Sequence, residues 1–192
     1  MVNVPSKSSQ GILRIIGGKW RSRRIRFSET GVRPTPDRVR ETLFNWLAPI
    51  IPGAHCLDLF AGSGVLSFEA LSRGAASIVT IDQSAEAIRF IEQNKQLLQA
   101  ENMQLIKMQI PGNLSIEKKS FDIIFMDPPF HQGLIELCCA WLREKELLAP
   151  NAYIYIETEA DLNPLPIPSD WEIFREKKAG QVKYYLCRPI SI

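Results

Sequence analysis

Phe121-Asp122-Ile123-Ile124-Phe125-Met126-Asp127-Pro128-Pro129-Phe130 is the stretch from which the fold can be read. Its first six residues are almost continuously apolar, the pattern of a parallel strand covered on both faces. Asp127 therefore falls where a central strand of an α/β sheet ends, which is where open sheets of this kind bind ligands. Pro128 and Pro129 remove two backbone donors and hold φ near one value, so the loop presents chiefly acceptors: the Asp127 carboxylate and nearby carbonyls. Acceptors suit a ligand that donates, such as the amino group of a nucleobase, and Phe130 offers a flat face on which a base can stack.

Strands and helices alternate on both sides of this stretch. Upstream, Cys56-Leu57-Asp58-Leu59-Phe60 reads as the first strand, and Ala61-Gly62-Ser63-Gly64 as a tight turn into a helix from Val65 to Arg73. Gly62 and Gly64 let the backbone approach a ligand closely. The dinucleotide fingerprint fails because Ser67 stands at its third glycine. Asp58, just before the turn, would repel a pyrophosphate but can attract the amino or sulfonium end of S-adenosylmethionine. Gly74 ends the helix, and Ser77-Ile78-Val79-Thr80-Ile81 forms a second strand closing on Asp82, an acid placed to accept both ribose hydroxyls of an adenosine. A helix follows from Ser84 to Ala100, with Ile88, Ile91, Lys95 and Leu98 on roughly one face. Met103 to Met108 is a third strand, after which Gln109 could offer its amide to adenine. Downstream come a helix from Gln132 to Leu147, a fifth strand at Tyr153-Ile154-Tyr155-Ile156-Glu157, an irregular link marked by Pro164, Pro166 and Pro168, and an antiparallel pair turning at Gly180.

The amino-terminal part differs in charge. Residues 1–40 carry a net +8 and the remainder −6, although the 192-residue chain as a whole is only +2. Such a local basic block suits a polyanion. Residues 1–10 have little to bury and read as a frayed tail. Leu13 to Ile16 and Arg23 to Phe27 are extended stretches around Gly17-Gly18, a β-hairpin on which Arg14, Lys19, Arg21, Arg23, Arg24 and Arg26 could grip phosphates and Trp20 could stack on a splayed base. In Arg33-Pro34-Thr35-Pro36-Asp37-Arg38-Val39-Arg40-Glu41-Thr42-Leu43-Phe44-Asn45-Trp46-Leu47, Thr35 is placed to cap a helix with Pro36 at its first position and Asp37 in its first turn. Free amides at that helix start suit a carboxylate such as that of an amino-acid-like cofactor.

A hydrophobic content of 45% and this length allow one full core, hence one domain with a small appendage. No apolar run approaches a membrane span and the start lacks a secretory segment, so a soluble, cytoplasmic protein is expected. Cys56, Cys138, Cys139 and Cys187 show no C-x-x-C pair and no histidine at ligand spacing, so reduced, mostly buried thiols and no metal are expected.

Asp127-Pro128-Pro129-Phe130 resembles the active-site signature of methyltransferases that modify exocyclic amines of bases. Together with Arg14-Ile15-Ile16-Gly17-Gly18-Lys19-Trp20, the segment from Arg33 to Asn45, Asp58-Leu59-Phe60-Ala61-Gly62-Ser63-Gly64 and Gly180-Gln181-Val182, it makes nearly the whole chain similar to the RsmD family of class I, Rossmann-like methyltransferases. The resemblance implies an α/β fold with a seven-stranded, mostly parallel sheet, its last strand antiparallel, and a small N-terminal β-hairpin extension. It divides the chain into an RNA-binding extension at 1–32 and a methyltransferase domain at 33–192. It implies transfer of a methyl group from S-adenosylmethionine to N2 of one guanine in 16S ribosomal RNA, within a small subunit or an assembly intermediate, by a monomer that needs neither metal nor membrane. By the same resemblance Asp127, Pro128, Pro129 and Phe130 are catalytic. Asp58, Phe60, Gly62, Gly64 and Asp82 contact the cofactor, and Thr35, Arg40 and Asn45 belong to the helix start on its methionine-carboxylate side. Met108-Gln109-Ile110-Pro111 departs from the family pattern at the adenine edge. The alternatives are a DNA adenine-N6 methyltransferase, for which the chain leaves little room for a target-recognition region, and a noncatalytic RNA-binding assembly protein. A nicotinamide oxidoreductase is disfavoured by Asp58 and the absent third glycine.

Overall fold

The computed structural model describes residues 10–30, 34–116 and 120–190. Nearly all of the tail read as frayed, and Arg33, lie outside them. The elements are β1 (Gln10–Arg14), β2 (Arg24–Ser28), α1 (Asp37–Leu47), β3 (His55–Asp58), α2 (Val65–Ser72), β4 (Ser77–Asp82), α3 (Ala85–Leu98), β5 (Met103–Lys107), β6 (Phe121–Met126), α4 (Leu134–Glu144), β7 (Leu148–Glu159), β8 (Trp171–Ala179) and β9 (Val182–Pro189).

A seven-stranded sheet has the order β5-β4-β3-β6-β7-β9-β8. Strands β3 to β7 pair in parallel, and β9 runs antiparallel to both neighbours. The chain builds outward from β3 to β5, then crosses back to place β6 on the other side of β3. That reversal opens a crevice at the carboxyl ends of β3 and β6.

The alternation of side chains across the sheet explains the two cores. Cys56, Ile123, Phe125 and Tyr155 face α1, α2 and α3, packing with Leu43, Phe44, Phe68 and Ile91. Leu57, Ile124, Met126 and Ile156 face α4, packing with Ile135, Cys138 and Leu142. With apolar partners on both faces, β6 needs the unbroken apolar run that its sequence has. Helix α2 is buried along its whole length, including Glu69. Helix α3 is fixed at its start by the Ser84 hydroxyl, which accepts from the Ala87 amide at 3.2 Å. It buries Ala87, Phe90, Ile91, Asn94 and Leu98, with Ile88 and Lys95 only half-buried.

β1 and β2 form a separate two-stranded antiparallel sheet, joined not by a tight glycine turn but by residues 15–23, which include a short 3-10 turn at Gly18–Trp20. Gly18 has φ +74°, and a β-carbon there would meet the Ser72 carbonyl oxygen at 1.8 Å, so glycine lets this connection lie on α2. Trp20 is a correction to the sequence reading. It is 8% exposed, its ring lies 6.4 Å from that of Phe68, and its amide donates to Ser72 Oγ at 2.9 Å. A large apolar ring gains more from this core than from an exposed surface.

Candidate active site

Asp82, Asp58, Asp127 and Glu157 lie at or near the carboxyl ends of β4, β3, β6 and β7, in that spatial order. Register places them on one face. Asp58 is opposite Phe125, and Met126 is opposite Ile156, so Asp127 and Glu157 follow side by side. Both continue the alternation of Phe125 and Tyr155, toward the side occupied by α1.

The Asp82 end is built for fixed geometry. Its carboxylate accepts the Gly62 amide at 2.8 Å and the Ser84 amide at 2.7 Å, which locks the turn to the end of β4. Gly64 starts α2 with φ +75°, and a side chain there would meet Ile91 at 2.9 Å. Phe60, half-buried, stands at the start of the same turn. Asp58 is buried and accepts from Ser67 Oγ at 2.6 Å, and Ser67 also bonds Thr80 at 2.9 Å. Burial pushes the Asp58 carboxyl up to about 7; the Ser67 hydrogen bond opposes this and the charge of Asp82 adds to it. An acid held at such cost favours a cation beside it, whereas a pyrophosphate would make matters worse.

At the other end, Asp127 accepts no hydrogen bond from the described residues. Its carboxyl is held well above the ordinary carboxylate range, first by burial and then by Glu157 and Asp58. Pro128 is buried, Pro129 exposed and Phe130 half-buried. The loop is tied to β7 where the His131 amide donates to Glu159 Oε1 at 3.3 Å. Glu157, unread as a site residue from sequence, is 4% exposed and accepts from Tyr155 Oη at 2.6 Å and Thr35 Oγ1 at 3.1 Å, both on Oε1. The signal for it was a carboxylate at the end of the Tyr153–Ile156 apolar run, opposite the position of Asp127.

Several expected residues stand elsewhere. Thr35 does not cap α1, which begins at Asp37 after Pro36; its hydroxyl turns to Glu157. Arg40 is wholly buried and its guanidinium is committed to Glu69 at 2.7 Å, to Asp37, and to the carbonyls of Thr35 and Arg14. It is a clamp among α1, α2 and the hairpin, with little left to offer a cofactor. Asn45 is exposed near the far end of α1, about 12 Å along the axis from Asp37 at 1.5 Å per residue. Gln109 is exposed beyond β5, while the neighbouring Met108 amide donates to the Asp82 carbonyl at 3.0 Å. On the hairpin, Arg14 is directly opposite Arg24, and Ile12 opposite Arg26, all exposed. Lys19, Arg21 and Arg23 are exposed on the connection. Arg24 and Arg26 border a shallow hollow shared with Ile12, Gln93, Asn94 and Leu97 of α3 and β1. Another hollow, lined by residues that include Tyr153, Glu172 and Arg188, lies toward the opposite end of β7 from Asp127 and collects none of these acids.

Residues 13–188 match the family model described as conserved hypothetical protein 95. The chain is 45% identical to ribosomal RNA small subunit methyltransferase D of Escherichia coli K12, over 95% of this chain and 92% of that protein. The chain belongs to the family of ribosomal RNA small subunit methyltransferase D. The Haemophilus influenzae methyltransferase D is 41% identical over 97% of this chain and 98% of its own length. A solved structure of the putative methyltransferase yhhF from Escherichia coli superposes with TM-score 0.87 at 44% identity, covering 95% of this chain and all of that one. The expected Rossmann-like class I methyltransferase sheet with a small hairpin extension is therefore the methyltransferase D fold, and the acid row spans its crevice.

Proposed function

We propose that this protein transfers a methyl group from S-adenosylmethionine to the N2 amine of one guanine in small-subunit ribosomal RNA. The observation that carries this reading is Asp127, a carboxylate without a protein donor among the described residues at the end of the central strand, flanked by Asp58 on one side and Glu157 on the other. Membership of the methyltransferase D family supports the substrate class.

The residues suit a cationic donor. Asp58 would face its positive end, Asp82 would take ribose hydroxyls with the lone pairs its amide partners leave free, and the Gly62–Gly64 turn gives backbone access. Phe60 would supply apolar contact beside them. When bound, S-adenosylmethionine supplies an electrophilic methyl group on a sulfonium. The amine of guanine is a poor nucleophile because its lone pair is shared with the ring. Asp127 and the Pro128 carbonyl accept its two hydrogens and favour the geometry that frees that lone pair. Pro129 stiffens the loop and Phe130 gives the ring a stacking face. As the nitrogen–carbon bond would form and the sulfonium sulfur–carbon bond break, leaving the neutral thioether S-adenosylhomocysteine, positive charge would grow on nitrogen, and a preplaced anion stabilises that state more than the ground state. The proton then leaves nitrogen toward Asp127, which burial and then the neighbouring Glu157 and Asp58 make a better acceptor than an ordinary carboxylate. The exposed arginines of the hairpin provide the phosphate grip. Arg14 and Arg24 stand opposed across the strands, and although Asp37 lies 3.4 Å from the Arg14 guanidinium, the exposed cations of this face suit a polyanion.

Incubating the enzyme with radiolabelled S-adenosylmethionine and either small subunits or free ribosomal RNA from cells lacking it tests this reading. Nucleoside mapping is expected to return N2-methylguanosine from RNA. Label found in DNA alone would overturn it, and RNA binding without label would favour the assembly-protein alternative.

A further inference from the structure

Glu157 has no part in the chemistry just described, yet it follows Ile156 as Asp127 follows Met126, and those two residues are paired across the strands. Its two donors converge on one oxygen: Tyr155 Oη at 2.6 Å and Thr35 Oγ1 at 3.1 Å both bond Oε1. No described group donates to Oε2, and because no fully buried side-chain oxygen among the described residues lacks a partner, Oε2 must reach open space. A side chain only 4% exposed thus keeps one oxygen available beside the proposed amine acceptor. Burial holds the Glu157 carboxyl above its ordinary range and the hydrogen bonds from Tyr155 and Thr35 oppose that shift, while Oε2, with no donor of its own, is left as an acceptor.

Resting on the guanine-N2 reading above, we infer that Glu157 is a specificity-determining residue that accepts the N1–H of guanine while Asp127 and the Pro128 carbonyl accept the N2 hydrogens. Guanine presents N1–H and the N2 amine as adjacent donors. Side chains projecting from the same face of neighbouring strands, whose backbones lie about 4.7–4.9 Å apart, can converge so that each carboxylate takes one of two adjacent donors. Adenine pairs its amine with an unprotonated N1, so the same two carboxylates set an acceptor against an acceptor. Rejection by an unmatched buried polar group exceeds anything that pocket shape alone gives. Thr35 and Tyr155 hold the carboxylate in place and act through it as positioning residues.

The test uses ribosomal RNA assembled by ligation with either guanine or 2-aminopurine at the mapped target. 2-Aminopurine keeps the N2 amine and has a bare acceptor at N1. The wild type is expected to favour guanine in kcat/KM by about 100-fold or more, on the scale of a missing hydrogen-bond partner in a polar site. Glu157→Gln keeps the shape and turns an acceptor into a donor. It should lose about 100-fold on guanine while changing little on 2-aminopurine, so that the preference collapses. Its S-adenosylmethionine affinity should equal that of the wild type. Equal use of both bases by the wild type sinks the proposal without reference to any variant. So does a Glu157→Gln enzyme that slows equally on both, or one that keeps the full preference. A wild type that places no methyl on guanine N2 would instead strike at the functional reading itself.

Discussion

Asp127→Ala removes the proposed acceptor of the amine while leaving Asp58, Asp82 and the glycine turn untouched. Methyl transfer is expected to fall by at least about 100-fold, the effect of deleting one preorganised transition-state group, with S-adenosylmethionine binding by calorimetry unchanged. Near-normal turnover would remove Asp127 from the chemistry. Asp58 sets a second expectation through pH. Its carboxyl titrates at about 7 in the folded protein against 3.8 ordinarily, so between these values the native state keeps a proton that the unfolded chain has released. That contribution to stability is full below about pH 4, declines as pH rises and is gone above about 7. Melting curves of Asp58→Asn should therefore show a gain over wild type that grows from acid to about pH 8 and reaches a few kcal/mol in order of magnitude. Donor affinity in the wild type should rise toward about pH 7 and level off above it, because only ionised Asp58 attracts a cation; the variant should bind weakly with a flat profile. Both acids were legible in the sequence, since each follows an apolar strand segment. Glu157 was not, because its meaning lies in the residue opposite it.

At the level of elements, the hairpin separates side chains that its sequence interleaves. Trp20 faces α2, whereas Arg24 and Arg26 face outward. Trp20→Ala should lower stability by about 3–5 kcal/mol, as loss of a buried aromatic does. Any loss of RNA binding should then follow the fraction unfolded. Arg24→Gln with Arg26→Gln should leave the melting temperature alone and weaken RNA binding. In a filter-binding series the slope of log affinity against log salt should shrink by about 0.7–0.9 for each phosphate that the protein no longer neutralises. A double variant with unchanged affinity and slope would take this face out of the interface. The strand pattern foretold two extended stretches here but not which side chains turn inward, because an aromatic among arginines fits either a core or a stacking platform.

Across the molecule, Arg40 joins three parts at once: α1 through Asp37 and the Thr35 carbonyl, the hairpin through the Arg14 carbonyl, and α2 through Glu69. Glu69 in turn accepts the Ile16 amide at 2.7 Å and pairs with Arg73 at 3.2 Å. Arg40→Leu leaves Glu69 buried without its main counter-charge, at about 3–5 kcal/mol. For a chain of this size that corresponds to a melting temperature lower by roughly 10 °C. Adding Glu69→Gln, which keeps an acceptor for Ile16, should recover part of the loss. A single variant that melts like the wild type would show the clamp to be dispensable. The four cysteines are buried and free, and burial pushes Cys138, Cys139 and Cys187 up to about 12, which leaves them packing groups rather than nucleophiles.

Local sequence was enough to place β6, to end it on an acid, and to locate the glycine turn and the two aspartates of the first strands. Those features depend on periodicity and on residues a few positions apart. It could not assign Arg40 to a buried clamp, Trp20 to the core or Thr35 to Glu157. Each of these depends on a partner that lies 29 or more positions away in the chain. Strand order decided which acids become neighbours. The crossover that sets β6 between β3 and β7 brings Asp58, Asp127 and Glu157 together in low-dielectric surroundings, where burial and then the charges of Glu157 and Asp58 raise the affinity of Asp127 for a proton.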